Sequence, residues 1–298
     1  MFFALAAEPE PRFDRALLAD KNAELIALYQ AIKADVGRLI DRLGAYQDEH
    51  FRRDDEKRRE HFYEVRALTT ATMTTVERGA RLLFLNKTCF NGLWRVNAAG
   101  TFNVPFGRYA RPKILDEKVL RSAHQALRRA TVRLADFEEV ARELRAGDFA
   151  YFDPPYVPVS KTANFTAYAS DRFGAEEQER LAETLAALEA RGVSAMLSNA
   201  ATPETRALYV RHGFFVGTIR AARAINSDPS KRGAVDELVV TTYPAGEAGT
   251  AAALAPPAKP TKPVKRAQPA KPAKAAKPAK PAKPAKSARS GARRTVGG

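Results

Sequence analysis

Two consecutive prolines, Pro154 and Pro155, constrain the fold of this 298-residue chain more than any other feature. Each proline fixes its own φ angle and lacks a backbone N–H, so the pair can neither continue a helix nor pair inside a sheet. The apolar run 149–152 comes directly before Asp153, which predicts a strand that ends in a rigid turn. The structural alternative is a turn in which Asp153 only caps local N–H groups. The strand before it and Tyr156 after it favour a functional loop.

Apolar runs alternate with helical patterns along most of the chain. The pattern predicts strands at 15–19, 132–134, 148–152, 193–197, 214–219 and 237–242, and helices over 25–32, 175–191 and 204–210. Strands that alternate with helices imply an α/β fold with a mostly parallel sheet. Ligands of such sheets bind beyond the carboxyl ends of the strands. Asp20, Asp136 and Asp153 each follow a predicted strand, so we predict that they line one crevice.

Two central segments depart from this alternation. Residues 48–66 are highly charged, which predicts a solvated helix with one weakly apolar face. Residues 82–109 interleave aromatic residues, Asn and Gly with Lys87, Arg95 and Arg108, and they keep no single period. This composition predicts a binding surface over 82–109.

The basic charge of the chain is concentrated at one end. Residues 245–298 hold nine Lys and four Arg against one acidic residue, so they carry +12 of the formal net charge of +15. Repeats of Ala-Lys-Pro between Ala270 and Lys286 have no apolar periodicity and predict a disordered tail. We expect the tail to attract phosphates without reading sequence. The alternative is a solubilising extension.

Cysteine and histidine usage argues against metal and redox roles. Cys89 has no second cysteine to pair with, and the four histidines lack metal-ligand spacing, so no metal is predicted. The chain has no apolar run of about 18 residues and no signal-peptide pattern. This predicts a cytoplasmic protein without a membrane span.

The chemistry available to Asp-Pro-Pro-Tyr suits an exocyclic amine such as N6 of adenine. That amine is a poor nucleophile while its lone pair is delocalised into the ring. Hydrogen bonds to the Asp153 carboxylate and the Pro154 carbonyl, in a turn that Pro155 also fixes, favour a tetrahedral nitrogen with its lone pair aimed at a methyl donor. Tyr156 would stack on a base turned out of the duplex.

Four segments together carry a family resemblance: Phe152–Tyr156, Ala163–Tyr168, Phe84–Asn97 and Phe102–Tyr109. They resemble the Dam-type (D12 class) adenine-N6 DNA methyltransferases, and the resemblance spans roughly residues 2–243. It implies S-adenosylmethionine as methyl donor and adenine in a GATC-like site of double-stranded DNA as acceptor. It also implies a Rossmann-like S-adenosylmethionine-dependent methyltransferase sheet with an inserted helical target-recognition subdomain. We expect a monomer associated with the nucleoid.

The resemblance also suggests domains and site residues. It places the methyltransferase domain at 1–45 and 131–244, the recognition subdomain at 46–130 and the tail at 245–298. Asp20 would bind the ribose hydroxyls of the cofactor, unless it only caps a helix. Asp136 and Phe137 would contact the cofactor adenine, with Asp153 also at this site. The predicted DNA contacts are Lys87 to phosphate, Arg95 and Arg108 to guanine, Asn91 or Asn97 to adenine, and Leu93 and Tyr109 against bases. Solvation of a polar surface is the alternative for each polar residue of this set. The stretch 223–227, with Lys231 and Arg232, would face DNA or shape the pocket.

One family feature is absent from this sequence. The chain contains no Gly-x-Gly, and its first glycine is Gly37, whereas the family has a Gly-rich turn that approaches the cofactor closely. We therefore expect either an N-terminally truncated chain or a degenerate copy, in which the first strand of the sheet is missing and S-adenosylmethionine binds weakly or not at all. A catalytically inactive DNA-binding remnant is the runner-up hypothesis.

Related methylation chemistries are less well supported. Cytosine-C5 methylation needs a cysteine nucleophile, but Cys89 lies in the recognition-like segment and suits a small apolar filler. Cytosine-N4 and protein-glutamine methylation commonly have Ser or Asn in place of Asp153.

Overall fold

The computed structural model describes residues 1–11, 13–97, 100–156, 173–222 and 234–244. The described helices are α1 (Phe2–Ala6), α2 (Ala23–Phe51), α3 (Asp55–Ala67), α4 (Thr75–Thr88), α5 (Glu117–Leu127), α6 (Phe137–Glu143), α7 (Ala175–Ala190) and α8 (Pro203–Arg211). The strands are β1 (Ala16–Asp20), β2 (Ala130–Leu134), β3 (Phe149–Phe152), β4 (Ser194–Ala200), β5 (Phe215–Ala222) and β6 (Ala234–Thr241). Three predictions concern segments outside the described residues: the tail 245–298, the motif Ala163–Tyr168 and the loop containing 223–227, Lys231 and Arg232.

The strands form two sheets in the described part of the chain. In the first, β1 and β2 pair in parallel, with Ala16 opposite Ala130 and Asp20 opposite Leu134. The second has the strand order β3-β4-β6-β5. Strand β3 is parallel to β4, whereas β6 is antiparallel to both of its neighbours. The α/β fold class is confirmed.

The expectation of a mostly parallel sheet is wrong for the second half of the chain. Residues 223–233 are all that connect β5 to β6, and the two strands pair along their length. A parallel crossover needs about a dozen residues or more, usually including a helix, so this shorter connection returns the chain antiparallel.

Two hydrophobic cores support the fold. The first joins the inner faces of α2, α3 and α4 with α5 and β2; its fully buried members include Leu39, Leu43, Phe62, Phe84, Leu85 and Leu127. The second packs α7 and α8 on the four-stranded sheet; its fully buried members include Leu181, Leu185, Leu197, Tyr209, Leu238 and Val240. Domain boundaries at residues 45 and 130 stay a prediction.

Helix α2 is much longer than its predicted span of 25–32. It begins after Asn22, whose side chain accepts the N–H groups of Glu24 and Leu25, and it runs to Phe51 with a kink at Asp35. The apolar positions continue beyond residue 32 at helical spacing, and Val36, Leu39, Ile40 and Leu43 are buried. Burial of that face sustains the helix where local charge would not.

The charged segment 48–66 is helical as predicted, but it is not simply solvated. It forms the end of α2 and most of α3, and His50, Phe62 and Val65 are buried. The apolar residues are few, yet they share the face of α3 that meets the first core.

The segment 82–109 divides into a buried helix and a loop. Residues 82–88 complete α4, whose start is fixed by a capping box between Thr74 and Glu77. Leu82, Phe84 and Leu85 are buried, so the predicted binding surface narrows to the exposed Lys87 and the residues after the helix. Gly79 lets α4 approach α2 closely, because a Cβ there would lie 3.2 Å from the Cα of Leu28. Among the described helices, none combines the length and apolar character that crossing a membrane requires.

Candidate active site

Asp153 begins the loop that follows β3, and its side chain is exposed. Strand β4 runs beside β3 with Phe152 opposite Leu197, which brings Ser198 next to Asp153. The Ser198 hydroxyl donates to Oδ1 of Asp153 at 2.8 Å. Asp153 is therefore oriented by a neighbouring strand as well as by its own loop.

Tyr151 extends this network along β3. Its hydroxyl lies 3.0 Å from Oγ of Ser198. Burial raises the pKa of Tyr151, and the nearby carboxylates of Asp153 and Glu237 raise it further. Tyr151 thus stays a neutral phenol at neutral pH and keeps its proton to donate.

Tyr156 is held by a carboxylate from β6. Its hydroxyl donates to Oε2 of Glu237 at 3.4 Å, and its ring is half-buried. Burial, together with the charges of Asp153 and Glu237, raises the pKa of Tyr156 to about 12. The aromatic residue predicted to stack on a target base is thereby fixed at its far end.

Asp20 is the last residue of β1 and is exposed. Its Oδ1 accepts the backbone N–H of Asn22 at 2.6 Å. The cap of α2 is Asn22, so the helix-cap interpretation of Asp20 is wrong. Its carboxylate lies at the carboxyl end of a parallel strand, where the sequence placed it.

Asp136 follows β2 and caps α6 by accepting the N–H of Glu138 at 2.9 Å. Its Oδ2 also faces Arg180 at 2.8 Å and Lys21 at 3.5 Å. Partial burial by itself would raise the pKa of Asp136, but the accepted N–H and the two cations hold it below its ordinary value. Because Lys21 comes directly after Asp20, the ends of β1 and β2 meet here. Asp153 follows a strand of the second sheet, so a single crevice lined by all three aspartates stays a prediction.

Phe137 is clamped by Arg180. The guanidinium lies over the ring at 4.6 Å from its centroid, and Phe173 approaches at 6.1 Å between centroids. Arg180 also pairs with Glu138 and Glu177, so one side chain of α7 ties the end of the first sheet to the helix that covers the second.

The loop after α4 carries most of the predicted DNA contacts on a hairpin-like frame. Isolated bridges pair Cys89 with Phe106 and Val96 with Phe102. The guanidinium of Arg95 donates to Asn103 twice, to its side-chain oxygen at 2.7 Å and to its carbonyl at 3.2 Å. Arg95 is thus exposed but oriented.

The turn at Asn91 and the turn at Arg108 meet through Tyr109, whose hydroxyl accepts the backbone N–H of Asn91 at 2.9 Å. Among the described non-glycine residues, Asn91 and Arg108 have positive φ angles, 55° and 53°. Such conformations are strained for L residues and concentrate at ligand sites. Gly107 permits the close approach, since a Cβ there would lie 2.5 Å from the carbonyl oxygen of Cys89.

The remaining predicted contacts also reach the surface. Leu93 and Tyr109 are each 40% exposed. Lys87 is exposed in the last turn of α4. Asn97 is exposed, and its side-chain oxygen accepts the N–H of Thr101 at 2.9 Å.

Sequence reasoning missed several side chains that position this site: Tyr151, Arg180, Ser198 and Glu237 around the strand ends, and Asn103 beside Arg95. A polar pair, Ser198-Asn199, interrupts the apolar run of β4 near its carboxyl end. This interruption was the one indication available in the sequence.

Residues 1–225 match the family of D12 class N6 adenine-specific DNA methyltransferases. The chain is 40% identical over 236 residues to the type II methyltransferase M.MjaIII of Methanocaldococcus jannaschii, covering 78% of this chain and 81% of that protein. It is 36% identical to the type II methyltransferase M1.LlaDCHI of Lactococcus lactis subsp. cremoris, covering 82% of each. The DNA adenine methylase of Escherichia coli (strain K12) is 33% identical, with 78% and 81% covered. The chain belongs to the D12 class adenine-N6 DNA methyltransferase family. The resemblance carried by its motifs is confirmed.

Family membership also settles the alternative that involved Cys89. A cytosine-C5 enzyme of another class would need a reactive thiolate. In this D12 class methyltransferase Cys89 is fully buried in the first core, and burial raises the pKa of its thiol to about 11. The residue is a small core side chain, as expected.

Proposed function

We propose that this chain transfers a methyl group from S-adenosylmethionine to N6 of adenine in a GATC-like site of double-stranded DNA. The observation that carries the proposal is the exposed Asp153 carboxylate, held at the end of β3 by Ser198 and followed by Pro154, Pro155 and Tyr156. An acceptor that is fixed in place and open to solvent suits the amine of a base that enters from outside.

The loop provides two hydrogen-bond acceptors and one aromatic ring. The amine of adenine has two N–H donors, which Asp153 and the Pro154 carbonyl would accept. When both N–H groups donate hydrogen bonds, the nitrogen lone pair is drawn out of conjugation with the ring, so no strong base has to remove a proton before nitrogen attacks the methyl group. The N–C bond forms as the bond from sulfur to the methyl group breaks, and the methylated nitrogen then loses one proton. Tyr156, anchored by Glu237, would stack on the extruded base and offset part of the few kcal/mol that base flipping costs.

The side chains at the ends of β1 and β2 would fit part of the cofactor. The exposed Asp20 carboxylate suits ribose hydroxyls, and Phe137 offers an aromatic surface to the adenine ring. Asp136 already accepts from Glu138 and faces Arg180, so the cofactor amine would share that carboxylate rather than find it empty. S-adenosylmethionine, when bound, supplies the methyl group.

Base recognition is assigned to the loop after α4. Arg95 and Arg108 would donate to guanine, and Asn91 or Asn97 would pair with adenine. Leu93 and Tyr109 would contact bases, while Lys87 would hold phosphate. Support comes from the positive φ angles of Asn91 and Arg108 and from the bracing of Arg95 by Asn103.

The test is transfer of labelled methyl groups to a GATC duplex, with N6-methyladenine identified in the product. Asp153→Ala should abolish transfer and leave duplex affinity nearly unchanged, because Asp153 acts on the flipped amine only. Asp41→Ala, at an exposed carboxylate on α2, is the matched control and should keep full activity. Transfer by Asp153→Ala near the wild-type rate would overturn the assignment.

A second candidate function is DNA binding without methyl transfer. The observation that favours it is the absence of any Gly-x-Gly in the sequence, since glycines normally let the backbone approach this cofactor. Calorimetric titration with S-adenosylmethionine separates the two: measurable binding supports the enzyme, and duplex binding without cofactor binding supports the second candidate.

A further inference from the structure

We infer that Tyr151 and Ser198 form a hydrogen-bond relay that holds Asp153 as a correctly aimed acceptor for the substrate amine. The inference rests on the proposed function and adds two positioning residues to it. Neither residue belongs to the Asp-Pro-Pro-Tyr motif. The pairing of β3 with β4 brings them together.

The geometry sets the direction of the relay. An ionised carboxylate only accepts hydrogen bonds, so Ser198 must donate to Asp153 across the 2.8 Å contact. A serine hydroxyl has one proton, which this bond uses. The 3.0 Å contact between Ser198 and Tyr151 therefore has Tyr151 as donor and Ser198 as acceptor.

The two donors differ in what surrounds them. Ser198 is 8% exposed and lies between the fully buried Leu197 and Asn199 on β4, so its hydroxyl has little freedom. Tyr151 is 39% exposed, and its phenol is protonated at neutral pH because tyrosine ordinarily has a pKa of about 10, which burial raises here. A hydroxyl that accepts one hydrogen bond becomes a better donor in the next. Tyr151 thereby strengthens the bond from Ser198 to Asp153.

The relay gives the two carboxylate oxygens of Asp153 different partners. Oδ1 of Asp153 is engaged by Ser198, and this bond fixes the rotation of an otherwise exposed side chain. Oδ2 then points in a defined direction and is the oxygen assigned to the incoming amine.

The test compares Ser198→Ala with Ser194→Ala, a serine that is exposed on the same strand. Single-turnover methyl transfer should fall about 10- to 100-fold in Ser198→Ala, the range expected for losing one hydrogen bond to a charged group. Duplex affinity should be unchanged. Ser198→Thr keeps the hydroxyl and should recover most of the rate, which a purely structural defect at this position would not allow. Tyr151→Phe should show a smaller loss of rate.

A second readout does not depend on turnover. Crystal structures of the wild type and of Ser198→Ala should show the Asp153 carboxylate turned to a different rotamer in the variant. The same Asp153 orientation in both proteins would overturn the relay even if the enzyme is active. A wild type without methyl transfer but with a changed Asp153 orientation in Ser198→Ala would overturn the proposed function and keep the relay.

Discussion

The end of β3 and the loop after α4 achieve rigidity by different means. At the end of β3, Asp153 is fixed by a side chain from an adjacent strand in register. The loop is fixed by its own backbone: two isolated bridges, a glycine in close contact with Cys89, and the strained turns at Asn91 and Arg108. The comparison teaches that a reacting group can be positioned by regular structure, whereas a surface that must follow the shape of a duplex needs irregular backbone.

The largest expected effect comes from breaking the loop while sparing the sheet. Gly107→Ala places a Cβ 2.5 Å from a backbone oxygen, a clash that requires the backbone to move. We expect a loss of more than about 2 kcal/mol in specific duplex binding, in the range of overpacking costs. Cofactor affinity should stay the same. Fluorescence anisotropy with GATC and scrambled duplexes measures the effect.

The control for this change is Gly44→Ala in α2. A Cβ there meets only Leu115 at 3.8 Å, an ordinary contact, and alanine is the better helix former. Gly44→Ala should bind DNA as the wild type does. If Gly107→Ala also binds normally, the loop is not held by this contact and the comparison fails.

The next largest effect concerns how well the loop after α4 discriminates between DNA sequences. Arg95→Ala should reduce discrimination between a GATC duplex and a one-base variant by about 1–3 kcal/mol, because a bidentate guanine contact is lost. Asn103→Ala removes the brace rather than the contact and should give a smaller loss in the same direction. Equal weakening on both duplexes would instead assign Arg95 to phosphate.

Acid should lower the stability of the first core, against which the loop after α4 packs. His50 is fully buried, and its ring packs on Phe84 and Phe106 with centroids 5.6 Å and 6.1 Å away. Burial, with the charges of His61 and two nearby arginines, lowers the pKa of His50 from 6.5 to about 4. Both ring nitrogens lack a hydrogen-bond partner among the described residues, so a charged ring would find no acceptor in that part of the protein.

The sign of the effect follows from proton binding. Below pH 6.5 the unfolded chain takes up a proton at His50 before the folded chain does, so the free energy of unfolding falls as the pH falls toward 4. The expected loss is about 2 kcal/mol between pH 7 and pH 5. Denaturant unfolding at several pH values measures it. His50→Phe should flatten the dependence, and an unchanged slope in that variant would place the titration elsewhere.

The same comparison explains what the sequence could predict. The turn at Asp153 depends on two adjacent prolines and the apolar run before them, all local features, and it was predicted with the strand that precedes it. Its partner Ser198 is 45 residues further along the chain and arrives through strand pairing. No local pattern encodes that pairing.

Tertiary packing decided the remaining differences. Arg180 reaches Asp136 from a helix whose own periodicity says only that Leu181, Leu185 and Leu188 are buried. The antiparallel direction of β6 follows from its short connection to β5, but its place between β4 and β5 depends on packing rather than on composition. In the loop, the residue types were visible in the sequence, but the positive φ angles of Asn91 and Arg108 were not.

The smallest expected effect comes from deleting the basic tail. It compares binding through net charge alone with binding through the two positioned regions. Residues 245–298 lie outside the described part of the chain, but thirteen basic residues against one acid are evident in the sequence. Deleting the tail should make duplex affinity less dependent on salt, because fewer counterions are released from the DNA on binding. Preference for GATC over a scrambled duplex should not change, since Arg95 and its neighbours remain.

A tail in which the basic residues are replaced by Gln is the control for length. Equal salt slopes for the full chain, the deletion and this control would leave solubility as the role of the tail, and a loss of preference for GATC would show that the tail takes part in reading sequence.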